Sequence, residues 1–165
     1  MPDTPRRRHN ERLILSLIRA AAQGGEALAR SDLARVTGLS AQTVTNIARD
    51  LIDEGLLDPG PPLRGKVGQP LRPLALRGDG AWFLGLKIGR RRAEMVLMDF
   101  TGQVIATHQQ GYDHPQPAPI ATFAARSAAD LRRAIPAGAQ DRLAGLGVAM
   151  PFFLWNWGAA MEGWR

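Results

Sequence analysis

Residues 31–57, SDLARVTGLSAQTVTNIARDLIDEGLL, read as two short helices around a tight turn, followed by an apolar exit. In the second helix Val44, Ile47, Ala48 and Leu51 recur at i, i+3, i+4 and i+7, which turns one face inward. Gln42, Thr45, Asn46 and Arg49 repeat that spacing on another face, which carries neither Lys nor Glu. Amides, a hydroxyl and a guanidinium are the donors and acceptors needed to read base edges in a major groove. Gly38, just past the first helix, supplies the left-handed residue that stops it. Ser40 is placed to cap the second helix by accepting from the free N–H of Gln42 or Thr43. Gly55 ends that helix as Gly38 ends the first. Ser40, Gln42, Thr43, Thr45, Asn46 and Arg49 are therefore the candidate DNA-contacting residues of a recognition helix. A helical hairpin with no such role is the plain alternative, and the flanking segments weigh against it.

Upstream, Ile14, Leu17, Ile18 and Ala21 form an apolar stripe at helical spacing, predicting a third helix from about Asn10 to Gln23 that completes a three-helix core. Downstream, residues 60–77, GPPLRGKVGQPLRPLALR, hold Arg64, Lys66, Arg72 and Arg77 without an acidic residue, and Gly65 and Gly68 suit a hairpin tip. Such a wing would straddle phosphates beside the groove, with Arg64, Lys66, Gln69 and Arg72 as its candidate contacts. The Arg6-Arg7-Arg8 triplet reads as a solvated basic terminus, or as an arm reaching nucleic acid.

The chain has 21 Lys and Arg against 15 Asp and Glu, a formal +6, which favours a polyanionic partner. Residues 1–77 carry twelve basic and eight acidic side chains, and residues 78–165 carry nine and seven, so the excess lies toward the front. With no cysteine, disulfides and thiolate zinc sites are excluded, and His9, His108 and His114 are too scattered to suggest a metal. No cofactor is expected. Neither a signal peptide nor an apolar run long enough to span a bilayer is present, so the chain reads as cytoplasmic, with no membrane partner.

A composition break at Arg77-Gly78-Asp79-Gly80 separates helical periodicity from strands. Trp82–Ile88, Ala93–Asp99 and Val104–Gln110 read as three extended runs, with Phe100-Thr101-Gly102-Gln103 as the second turn. The proline-bearing stretch Asp113–Pro119 reads as a loop, Ile120–Ile135 as a helix, and Leu143–Ala149 as a buried fourth strand. The order β-β-β-α-β suggests an actin-like or ribonuclease-H-like layer, and the whole chain an α+β protein.

Two motifs, LARVTGLSAQTVTNIARDLIDEGLL with GQPLRPLAL, and FLGLKIGRRRAEMVLMDFTGQVI, resemble in that order the ROK family of sugar-responsive transcriptional repressors and bacterial sugar kinases. The resemblance covers about Asn10 to Pro151. It implies a winged helix-turn-helix DNA-binding domain over 1–77, a linker at 78–80, and a partial actin-like sugar-sensing domain over 81–165. It also implies a homodimeric repressor of carbohydrate-metabolism genes that binds double-stranded DNA. A sugar or sugar-phosphate effector would release it if the sensing domain is complete. A fragmentary sugar kinase and a winged-helix protein-interaction module are the alternatives.

Departures from the family pattern sharpen this. Where the family's kinases carry Asp-Ile-Gly-Gly-Thr, this chain has Lys87-Ile88-Gly89-Arg90-Arg91, in which the acid has become a base and arginines obstruct close backbone approach to a nucleotide. A non-enzyme is therefore expected. Arg90, Arg91 and Arg92 suit a phosphorylated ligand, although a solvated hairpin tip is the plainer reading. Ala29 stands where the family has a capping Ser, which would move the cap to Ser31, and Gln69 replaces a wing arginine. The family's catalytic Asp, sugar-contacting Glu and His, and zinc motif have no counterpart here, so the chain reads as a truncated form or first-lobe fragment. Trp155, Trp157 and Trp164 crowd its end, as a sugar-stacking platform or, more plainly, as core or interface residues.

Overall fold

A computed structural model describes residues 5–61 and 72–151, apart from the side chain of Arg6. The wing-tip candidates Arg64, Lys66 and Gln69, and the C-terminal Trp155, Trp157 and Trp164, lie outside the described residues. The chain is an α+β protein that divides into two compact units, Met1–Gly80 and Ala81–Arg165. No helix among the described residues is long and apolar enough to cross a membrane.

The first unit contains helices α1 (Pro5–Gln23), α2 (Arg30–Thr37) and α3 (Ala41–Asp53), and short strands β1 (Leu28–Ala29), β2 (Leu57–Pro59) and β3 (Pro73–Leu76). Ile14 and Ile18 of α1, Leu33 of α2, and Val44, Ile47, Ala48 and Leu51 of α3 form one core with Leu57 and Leu74. The strands make an antiparallel sheet in the order β1-β3-β2, with Leu28 opposite Leu74 and Leu57 opposite Leu76. Beyond the last pair of β2 and β3, the Gly60 N–H donates to the Pro73 carbonyl at 2.7 Å. The two strands thus form the base of a connection through residues 62–71, and Arg72 is exposed where that connection enters β3. β1 is too short for any periodicity to announce it.

Both ends of the α2–α3 turn follow from backbone chemistry. Gly38 adopts φ 68°, and its N–H donates to the Ala34 carbonyl at 3.0 Å, closing α2 with a single left-handed residue. Gly55, at φ 74°, and Leu56 donate to the carbonyls of Ile52 and Leu51, each at 2.9 Å. That pair of reverse bonds is the Schellman arrangement, and Leu56 packs on the same core as Leu51.

Two expectations for this unit are corrected. Helix α1 begins at Pro5 and takes in the arginine triplet, because Arg7 has carboxylates to meet: Nε reaches Glu11 Oε1 at 2.8 Å and a terminal nitrogen reaches Asp50 Oδ2 at 2.9 Å. Helix α2 starts at Arg30 and does not wait for Ser31, because Asp32 reaches back to accept from the Ala29 N–H at 3.0 Å. Ala29 has no side-chain acceptor, so Asp32 supplies one half of a capping box. The segment 78–80 forms a single 3-10 turn with Gly80 buried, beside an Arg77–Asp79 ion pair at 2.6 Å.

In the second unit, β4 (Trp82–Ile88), β5 (Arg92–Met98), β6 (Val104–Gly111) and β7 (Leu143–Ala149) form a sheet in the order β6-β5-β4-β7, with α4 (Pro117–Arg132) before β7. The first three strands are an antiparallel meander, and β7 returns parallel to β4. Between β5 and β6 the buried Asp99 accepts from the Thr101 hydroxyl at 2.6 Å and the Gln103 N–H at 2.9 Å, while Gly102 takes φ 92°. Leu84, Leu86, Met95 and Leu97 pack with Ile120, Phe123 and Leu131 of α4, and with Ile135 just beyond it.

Two further expectations fail here for identifiable reasons. Helix α4 starts at Pro117, inside the stretch read as a loop, since Pro117 and Pro119 occupy first-turn positions whose N–H groups have no intrahelical partner to lose. β7 is not buried: Leu146 is 49 % and Val148 is 56 % exposed. They pair with Leu84 and Leu86 and so point to the α4 side of the sheet. Yet α4 packs over β5 and β6, leaving the β7 edge uncovered among the described residues.

The Gly38 turn gives a first prediction. A Cβ at Gly38 meets no atom within 4 Å, so Gly38→Ala carries only the conformational cost of a left-handed residue. Denaturant melts should show the first unit destabilised by about 1–2 kcal/mol, and Gly38→Asn should recover part of the loss.

Candidate nucleic-acid interface

Helix α3 is positioned from both sides. Its buried face is held by the three-helix core, and its N-terminus is held by Ser40, whose Oγ accepts from the Thr43 N–H at 3.1 Å. The two hydroxyls also lie 2.8 Å apart, so Ser40 Oγ can accept from Thr43 N–H and donate to Thr43 Oγ1. Ser40 and Thr43 are thus engaged in starting the helix, and the groups left to meet a ligand are those further along.

Gln42, Thr45 and Arg49 are exposed, with Asn46 half-buried between them, so the outward stripe read from the sequence is a real surface. Gln42 Nε2 donates to Asn46 Oδ1 at 3.0 Å, one turn along. That bond uses a Gln42 amide hydrogen and the Asn46 oxygen, so the groups that it leaves for a ligand are the Gln42 carbonyl oxygen and the Asn46 amide hydrogens, an acceptor and donors. Such a set matches the bidentate demand of an adenine edge.

Arg49 is kept available by an arrangement that sequence reasoning missed. Asp50 is its neighbour, but the strong partner of Asp50 is Arg7 at 2.9 Å, and Arg49 Nε stands off at 3.7 Å with its side chain 64 % exposed. Arg7 thus takes up much of the field of Asp50 and ties the start of α1 to α3. The only sequence signal was the i, i+4 spacing of Arg7 and Glu11. Arg30 was missed as well: this first residue of α2 has a buried Nε with no hydrogen-bond partner among the described residues.

The structure brings together Ser40, Gln42, Thr43, Thr45, Asn46 and Arg49 on α3, and it places Arg72 at the entry to β3. Among the described residues no group of three or more His, Asp or Glu side chains could hold a metal ion.

Three comparisons bear on these features. No protein-family model matches the chain. An uncharacterized protein, y4fQ, of Sinorhizobium fredii is 30 % identical over 151 residues, which is 92 % of this chain and 37 % of that protein. The fold is similar to the crystal structure of a ROK family transcriptional regulator, a homolog of the E. coli MLC protein, with a TM-score of 0.52 and 21 % identity over 75 % of this chain. This chain spans 31 % of that structure and little more than a third of the curated relative, so the likeness is one of fold over part of a longer protein.

The cap offers a direct check of how α3 is held. Ser40→Ala should cost about 1 kcal/mol of stability in the first unit, measured by chemical denaturation, and Ser40→Asp should keep most of it. Equal melts for the Ala variant and the parent would mean that the hydroxyl does not hold the helix N-terminus.

Proposed function

We propose that this chain is a sequence-specific DNA-binding transcriptional regulator in which α3 lies in the major groove. The observation that carries the reading is the two-faced character of α3, with Val44, Ile47, Ala48 and Leu51 buried and Gln42, Thr45 and Arg49 exposed along a helix fixed at both ends. A helix whose exposed stripe holds amides, a hydroxyl and one guanidinium offers hydrogen-bond readout more than bulk charge. Similarity of fold to a ROK family transcriptional regulator supports the same conclusion.

In the proposed mechanism, Gln42, Thr45, Asn46 and Arg49 read base edges while cations around them hold phosphates. Arg64, Lys66 and Arg72 would do so from a wing between β2 and β3, with the neutral Gln69 amide as a hydrogen-bonding contact beside them. Two copies in a homodimer would place their reading helices in successive major grooves. By the same reading the regulator represses carbohydrate-metabolism genes, and a sugar bound to the completed second domain alters the spacing of the helices.

The kinase alternative is weighed against by Lys87. It lies near the end of β4 as an exposed ammonium, where the resemblance calls for a carboxylate to help organise a metal. ATP-dependent phosphorylation of a hexose by this chain would overturn the regulatory reading.

A gel shift on the DNA upstream of its own gene, repeated across salt concentrations, tests the proposal. Arg49→Ala and Asn46→Ala should each relax sequence preference by about 1–3 kcal/mol per base interaction removed. Lys66→Ala should weaken binding to all sequences and reduce the salt slope by about 0.9. If Arg49→Ala weakened binding equally for upstream and random DNA, Arg49 would be a phosphate contact and not a reader. Absence of any shift at low salt would favour a winged-helix module that docks on protein.

A further inference from the structure

We propose that the tip of the β4–β5 hairpin, formed by Lys87, Arg90, Arg91 and Arg92, is a second, sequence-independent contact for the phosphodiester backbone of nucleic acid. The proposal rests on the DNA-binding reading above and assigns a part in it to the second unit. Four of the nine basic residues in 78–165 fall within these six positions, with no acidic residue among them.

The tip is built rather than merely exposed. Lys87 pairs across the hairpin with Glu94, and the Gly89 N–H donates to the Arg92 carbonyl at 2.8 Å to close the turn. Tyr112, just past the end of β6, braces it from the neighbouring strand: its hydroxyl donates to the Gly89 carbonyl at 2.7 Å and its backbone N–H to the Arg91 carbonyl at 3.0 Å. Burial raises the pKa of the phenol, so the hydroxyl remains a donor throughout the neutral range and the brace is lost only in strong alkali. A tip held at both carbonyls presents its cations without the ordering cost that a free loop would meet on binding.

Lys87, Arg91 and Arg92 have no carboxylate partner among the described residues. Elsewhere Arg7, Arg35, Arg77 and Arg133 each sit beside a carboxylate, whereas Lys87, Arg91 and Arg92 are exposed and make no ion pair among the described residues. Glu94, the acid that lines this open recess among the described residues, accepts from Gln109 Nε2 at 3.2 Å. Like charges gathered on a rigid turn repel one another, and a polyanion relieves that repulsion. Small phosphorylated ligands need a concave site that buries most of their surface. An open tip with guanidinium groups spread along it suits an extended chain of phosphates better.

Fluorescence anisotropy with the whole chain and a random-sequence duplex of about 40 base pairs, titrated between about 50 and 200 mM salt, tests this. The triple variant R90S/R91S/R92S should lower the slope of log affinity against log salt by about 0.9 for each phosphate that it no longer neutralises. Its affinity should fall by the same factor on upstream and random DNA. The charge-preserving R90K/R91K/R92K should keep the parent slope, and Lys87→Gln, on the strand and outside the turn, should show a smaller drop in the same sense. An unchanged slope in the serine variant and in Lys87→Gln, with the parent binding DNA normally, overturns the tip's role and leaves the α3 reading intact. Failure of the parent to bind any duplex overturns both. Saturable binding of inorganic pyrophosphate that is abolished in the serine variant, with its DNA slope unaltered, assigns the tip to a small phosphorylated ligand and overturns the backbone contact.

Discussion

Burial of Val44, Ile47, Ala48 and Leu51 against Ile14, Ile18 and Leu33 is the constraint on which the first unit depends, because it decides which side of α3 faces outward. Side chains the size of Val, Ile and Leu each contribute roughly 1.5–3 kcal/mol when removed from water, far more than any polar contact on the opposite face. A rotation of α3 by one residue would expose some of them and bury Gln42 or Thr45 without partners, so the orientation of the polar stripe is fixed by what lies behind it. Hydrogen bonds at the two ends then set where the helix begins and stops, with Ser40 at one and the Gly55–Leu56 pair at the other. The exposed polar face of α3 is a by-product of a core.

This hierarchy explains what was legible in the sequence. Periodicity reports burial, so the inward face of α3 and the stripe of α1 could be read from spacing, and glycines with obligatory positive φ marked the turns at Gly38 and Gly55. Strand β4 was legible to the residue, for its burial alternates strictly along Trp82–Ile88. What escaped depends on distant partners. Nothing local to Arg7 says that Asp50, on another helix, will meet it, and the two-residue β1 exists only because β3 passes alongside. The start of α4 was misplaced because prolines were weighed as breakers, when in a first turn they are compatible with helix.

The misjudged burial of β7 has a different cause. An uninterrupted apolar run such as Leu143–Ala149 is what a parallel strand covered on both faces looks like. The sequence therefore records the environment that such a strand suits, whereas the one α-helix described in this unit packs chiefly over β5 and β6. Leu146 and Val148 project on the α4 side beyond that helix's reach, so the mismatch follows from the width of the sheet and not from the register, which pairs them in order with Leu84 and Leu86.

Charge is distributed by the same economy of partners. In the first unit Asp50 is taken by Arg7, so Arg49 keeps only a long contact with it. An arginine that pairs tightly inside its own protein must give up that pair before it can meet a base, and the desolvation of the abandoned carboxylate would oppose binding. Relieving Arg49 through Arg7 avoids that penalty. The remaining members of the stripe, Gln42, Thr45 and Asn46, are neutral, and on the proposed reading their hydrogen bonds would meet base edges whose donor and acceptor positions differ from one pair to the next. If α3 reads DNA as proposed, specificity would depend little on salt, while affinity for any duplex would depend on the cations around the helix and be strongly screened. The two properties would then be carried largely by different residues, so that each could change by substitution without the other.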